Sequence, residues 1–149
     1  MSIQSYPSSF EVWKAESLRR ILLVDDHEVV RAGLAKLLEG AWDICGQAAN
    51  GLEAVTKVLE LKPDVVVLDL SMPIMGGTAA ARQIRRVSPA TKIVVLSMHD
   101  SETVVELSRL IGADACVSKR SAAAELHRAI AAVLKEPPNS KGVRIFEPT

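Results

Sequence analysis

Only two cysteines occur in the 149 residues, Cys45 and Cys116, and they are far apart with no Cys-x-x-Cys or Cys/His ligand spacing beside either. That excludes a disulfide framework and gives no zinc signature, and it suits a reducing compartment. An excess of charge of either sign is also missing, because Lys plus Arg equals Asp plus Glu at 18 each. No overall field therefore draws the chain to nucleic acid or anionic lipid. No apolar run reaches membrane-spanning length, and the first twenty residues lack the basic start and apolar stretch of a secretory signal. The expected location is the cytoplasm, with no membrane partner. What is present is core material: 48% of residues are apolar and 24% charged, an ordinary balance for a folded domain and too apolar for disorder. The length fits one compact domain with short tails.

Residues 1–18 read as a flexible leader, with a short helix around Phe10–Leu18. The pattern then changes. ILLV at 21–24 is a continuous apolar run bounded by charge, as expected of a strand buried on both faces. Similar runs follow at DICGQA (43–48), DVVVLDL (64–70) and KIVVLSM (92–98), with a short fifth at ACVSK (115–119). Between them apolar residues recur at helical spacing, for example Val30, Leu34, Leu37 and Leu38, or Leu126, Ile130, Val133 and Leu134. Gly40 and Gly112 fall just past helices, and Pro63 and Pro89 in turns before strands. Strict alternation predicts an α/β domain over 19–134: a five-stranded parallel sheet with helices on both faces, because right-handed crossovers place helices on each side. Residues 135–149, with Pro137-Pro138, read as a tail or linker.

In such a sheet the ligand site lies at the carboxyl ends of the strands. Those ends carry Asp25 and Asp26 after the first run, Asp69 after the third, Ser97 after the fourth and Lys119 after the fifth. Three carboxylates in one crevice repel one another, and a bound divalent cation relieves that. Mg²⁺ is the natural candidate, being hard, oxygen-seeking and suited to one or two carboxylates together with phosphate oxygens. A lysine and a hydroxyl opposite the metal complete a set matched to a phosphoryl group.

The blocks ILLVDDH, VVVLDLSMPIMGG, IVVLSMHD and GADACVSK resemble the receiver domains of two-component response regulators, and DDH, SMHD and GADA are similar to receivers of the LuxR-like class. The resemblance covers the region from about residue 20 to residue 134 and implies a (βα)5 flavodoxin-like fold. It further implies that Asp69 accepts a phosphoryl group from a partner histidine kinase, as a carboxylate nucleophile. Asp26 would bind Mg²⁺ directly, Asp25 through water, and Ser71 through its backbone carbonyl. Lys119 would pair with Asp69 and then with the phosphoryl oxygens, and Ser97 would turn its hydroxyl to the phosphate. Ser71 and His99 occupy the places flanking an attacking water. Met72, Pro73, Gly76 and Gly77 are expected to shape the turn that presents Asp69, the glycines through backbone freedom. Two departures stand out. Cys116 lies three before Lys119, where many receivers carry Tyr or Phe, and Arg120 follows Lys119 where many have proline.

The implied protein is a switch for transcriptional signalling more than an enzyme. A haloacid dehalogenase-like phosphatase would need a second acid two residues after its nucleophile, where this chain has Ser71. A nucleotide- or flavin-binding module would want a glycine- or hydroxyl-rich loop where DDHEVV stands. A receiver fold that makes contacts without phosphorylation would have no use for the acids and the lysine. The expected output is protein contact through the surface around the fourth helix, fifth strand and fifth helix, or self-association as a homodimer. DNA binding is expected only with a separate output domain beyond Thr149.

Overall fold

The computed structural model describes residues 18–70, 72, 75–98, 102–135 and 142–146. The reading of a helix around Phe10–Leu18 falls almost wholly outside them, and Ser71, Pro73 and His99 fall outside them too. The elements alternate: β1 (Arg20–Val24), α1 (Glu28–Leu38), β2 (Asp43–Ala48), α2 (Gly51–Leu61), β3 (Val65–Asp69), α3 (Gly77–Val87), β4 (Lys92–Ser97), α4 (Glu102–Leu110), β5 (Ala115–Ser118), a 3₁₀ turn over Lys119–Ser121, α5 (Ala122–Leu134) and β6 (Arg144–Phe146).

Every strand pairing is parallel, in the order β2-β1-β3-β4-β5-β6. Successive strand residues point to opposite faces, so one apolar run feeds two cores. Ile21, Leu23, Val65, Val67, Val94 and Leu96 meet α1 and α5 through Leu34, Leu38, Leu126 and Ile130. Leu22, Val24, Val66, Leu68, Ile93 and Val95 meet α2 and α3 through Ala54, Val58, Ala80 and Ile84. This double burial explains why the strands read as continuous apolar runs rather than alternating ones. Gly40 and Gly112 adopt φ of +92° and +73° just past α1 and α4, the left-handed conformation expected of helix-ending glycines.

Among the described residues the sheet has six strands where the sequence predicts five. The sixth is Arg144–Phe146, from the segment read as tail or linker, and it pairs with β5 through Ala115↔Arg144, Cys116↔Ile145 and Val117↔Phe146. Phe146 packs on the first core and Val143 on the second, while the Arg128 guanidinium lies 5.9 Å from the centre of the Phe146 ring. Three residues are too few to carry a readable periodicity. The strand forms because β5 offers it an edge.

Candidate functional site

The strand order reverses between β1 and β3: from β1 the chain crosses to β2 on one side, and β3 begins the run to the other. Loops leaving these two strands separate and open a crevice at their carboxyl ends. Asp25 and Asp26 follow β1, and Asp69 ends β3, so the switch point gathers all three acids.

Asp25 is fully buried. Its amide donates to the Ala48 carbonyl at 3.1 Å and its own carbonyl accepts from the Arg31 guanidinium at 2.6 Å, so the backbone is fixed from β2 and from α1. Arg31 is fixed in turn by Gln47, at 2.9 Å. The carboxylate accepts from the His27 amide at 2.9 Å through Oδ1, and Oδ2 lies 3.0 Å from the Lys119 ammonium. Asp69 is 2% exposed, and its Oδ2 is 3.3 Å from the same ammonium. Lys119 therefore bridges Asp25 and Asp69. Burial alone would lower the lysine's pKa, but the hydrogen bond and charge of Asp25 and the charge of Asp69 outweigh it and hold the ammonium above its ordinary range.

Asp26 is differently placed. Its Oδ1 is buried without a hydrogen-bond partner, an arrangement that costs free energy unless something else compensates the charge. One ligand atom from each of Asp25, Asp26, His27 and Asp69 falls within 4.8 Å of the others. An orphaned carboxylate oxygen among three acids is the donor set a hard cation takes, so Mg²⁺ fits these residues.

Ser97 is buried at the end of β4, in register with Ser118, the residue before Lys119. The structure thus puts Ser97 and Lys119 at the ends of strands that pair on the β3 side of the crevice. Beyond Lys119 the chain turns tightly: the Ser118 hydroxyl accepts from the Arg120 amide at 3.3 Å, and the Ser121 hydroxyl donates to the Ser118 carbonyl at 3.1 Å. No cis peptide bond occurs among the described residues. Cys116 is buried in β5, and burial also raises the pKa of the Cys45 thiol, so Cys45 stays neutral at ordinary pH.

Gly76 and Gly77 differ from the sequence expectation in their reason. Gly76 has φ −64°, and Gly77 begins a helix, so neither needs unusual backbone freedom. A Cβ on Gly77 would lie 2.3 Å from the Asp69 carbonyl oxygen and 2.5 Å from the Leu70 Cα. What Gly77 supplies is room for α3 to start directly against the backbone of Asp69. Gly51 does the same for α2, where a Cβ would meet the Met75 carbonyl oxygen at 2.1 Å. Gly51, Arg31 and Gln47 were not identifiable as site supports from local pattern, since each acts across the fold. Only DDH as a block drew attention to His27.

Comparison with known proteins agrees with this geometry. The family model described as "Response regulator receiver domain" matches residues 21–131. The chain is 43% identical over 121 residues to the transcriptional regulatory protein LiaR of Bacillus subtilis, covering 80% of this chain and 57% of LiaR. It is 34% identical over 131 residues to the response regulator protein VraR of Staphylococcus aureus, covering 87% of this chain and 60% of VraR. It thus spans less than two thirds of the length of these relatives. The crystal structure of a two-component response regulator of the LuxR family from an Aurantimonas species superposes with a TM-score of 0.79 at 36% identity, covering 89% of this chain and 91% of that one. The chain belongs to the response-regulator receiver domain family, in its LuxR-like branch.

Proposed function

We propose that this receiver accepts a phosphoryl group on Asp69 from a histidine kinase, with Mg²⁺ held by Asp26 and Asp69 directly, by Asp25 through water and by the Ser71 carbonyl, and that the event switches a protein-contact surface in transcriptional signalling. The observation that carries this reading is the buried Oδ1 of Asp26, which has no hydrogen-bond partner among the described residues, beside the Asp25–Lys119–Asp69 bridge. When bound, the cation neutralises the carboxylate cluster and the charge of the incoming phosphoryl group. An Asp69 carboxylate oxygen attacks phosphorus as the bond from phosphorus to the donor's imidazole nitrogen breaks. The donor keeps that electron pair and the product is an aspartyl phosphate. Lys119, already 3.3 Å from Asp69, follows the new negative charge onto the phosphoryl oxygens, and Ser97 donates its hydroxyl to one of them.

The output follows from differential binding: the phosphoryl group favours one arrangement of Ser97 and Lys119, and the equilibrium of the attached β4–α4 and β5–α5 segments shifts with it. That surface contacts a protein partner or a second copy of the chain, and DNA binding belongs to an output domain.

The test uses acetyl phosphate as donor and intact mass as readout. One phosphate adduct is expected in the presence of Mg²⁺, none with EDTA and none in Asp69→Ala. An adduct of equal yield in Asp69→Ala overturns the assignment.

A further inference from the structure

The surface proposed to carry the output is partly covered by the chain's own last strand. β6 pairs in parallel with β5, and the Arg144 amide donates to the Asp114 carbonyl at 3.0 Å. Val143 packs on the core that includes Val104 of α4 and Cys116 of β5, while Phe146 packs on the core that includes Leu126 and Ala129 of α5. One short segment therefore reaches both flanks of β5. Its hold is slight: β6 is three residues long and ends the sheet, Ile145 is 39% exposed, and the arginine over the Phe146 ring is itself 71% exposed. Short strands with few buried apolar contacts open at low free energy. β5 differs, since all four of its residues are buried, and without β6 its backbone groups would line an unpaired edge, a template for another chain. Val117, the partner of Phe146, stands two residues before Lys119, at the end of β5 that carries the lysine held by Asp25 and Asp69.

From this we infer that β6 is a self-docked strap on the α4–β5–α5 surface, released when Lys119 turns from Asp25 and Asp69 to a phosphoryl group, and that a second copy of the chain takes the β5 edge it leaves. The inference rests on the proposed phosphorylation of Asp69 and deepens it by naming what holds the output off beforehand. A shift of Lys119 carries Ser118 and Val117 with it and offsets the last β5–β6 pair, so the phosphorylated arrangement binds the strap less tightly than the unphosphorylated one. A second copy fits the vacated edge because two β5 edges related by a two-fold axis pair with each other, each supplying the backbone groups the other lacks.

Follow the full chain in Mg²⁺, with beryllofluoride as the phosphoryl mimic, by amide hydrogen exchange of the strap and by sedimentation velocity. On activation, exchange at Arg144, Ile145 and Phe146 is expected to speed up and the chain to pass from monomer to dimer. Val143→Ser combined with Phe146→Ser removes both half-buried anchors. Without beryllofluoride that variant is expected to exchange fast and to associate at least about tenfold more readily than the wild type, since two such side chains contribute at least that factor. Paired strands lie about 4.8 Å apart, within disulfide reach, so Ile145→Cys can be oxidised onto Cys116 to fix the strap. The oxidised chain is expected to stay monomeric with beryllofluoride and to associate after reduction. Strap exchange unchanged by activation, a double variant that associates no more readily than the wild type, or an oxidised Ile145→Cys chain that dimerises as fully as the reduced one overturns the inference. A wild type that releases the strap yet stays monomeric overturns the second copy as occupant. The double variant needs no phosphoryl group, so absence of the Asp69 adduct in the intact-mass assay removes the phosphorylation trigger and leaves the strap on β5 standing.

Discussion

Lys119 faces two buried carboxylates at 3.0 and 3.3 Å, and the sequence resemblance paired it with only one of them. Its side chain is 13% exposed, so the bridge is shielded from solvent. Removing one partner of a buried charge pair leaves the others uncompensated, which costs about 3 kcal/mol or more. Lys119→Ala is therefore expected to lose about 3 kcal/mol in metal-free buffer and to recover a large part of it in Mg²⁺, since a cation restores positive charge to the same oxygens. Urea unfolding with EDTA and with Mg²⁺ measures both. Equal losses in the two buffers would show that the lysine and the cation do not share these carboxylates.

At the scale of elements, Asp69 is presented by the close approach of α3 to the end of β3. Gly77→Ala drives a methyl group into backbone at 2.3 Å, which no rotamer can relieve. The expected cost is about 1–3 kcal/mol of stability, with slower phosphorylation from acetyl phosphate as Asp69 is displaced. Gly33 is the opposite case: it lies exposed in the middle of α1, and a Cβ there meets nothing within 4 Å. Gly33→Ala is expected to stabilise the fold by about 1 kcal/mol, with phosphorylation unchanged. A pair of thermal melts checks the two signs, and a stabilising Gly77→Ala would refute the packing argument. In sequence both positions are simply glycine.

Across the whole molecule, the crevice is one end of a sheet whose other end is tied by Arg85. This side chain, from the last turn of α3, donates to the Thr91 carbonyl at 3.0 Å, the Gly112 carbonyl at 2.7 Å and the buried Asp114 carboxylate at 2.9 Å. Asp114 also accepts from the Ile93 amide at 2.8 Å, so one ion pair joins α3, the start of β4 and the turn into β5. Arg85→Ala leaves Asp114 buried and short of charge, at an expected cost of about 3–5 kcal/mol. Because this network lies at the amino ends of the strands, the folded fraction should still take up phosphate with the wild-type Mg²⁺ requirement. Denaturant melts and intact mass at low temperature test the two halves separately. Loss of the Mg²⁺ requirement would mean that the two ends are coupled. A second tie joins α5 to the loop before β2, where Trp42 Nε1 donates to His127 Nδ1 at 3.0 Å and His127 Nε2 donates to the Leu37 carbonyl at 3.0 Å.

The elements were legible in the residues because their causes are local. Double burial makes β1, β3 and β4 continuous apolar runs, helical spacing marks α1 to α5, and Gly40 and Gly112 end helices where positive φ is needed. The acids, the hydroxyl and the lysine were legible as strand-end residues for the same reason, and the receiver motifs assembled them into one site. Tertiary structure alone decided the rest. Strand order brings β1 beside β3, and only then does Asp25 share Lys119 with Asp69. Gly77 and Gly51 matter through backbone that arrives from elsewhere, Arg85 through carbonyls up to 27 residues away, and β6 through an edge made by β5. Periodicity records what each residue asks of its own segment, whereas these contacts depend on which segments the crossovers make neighbours.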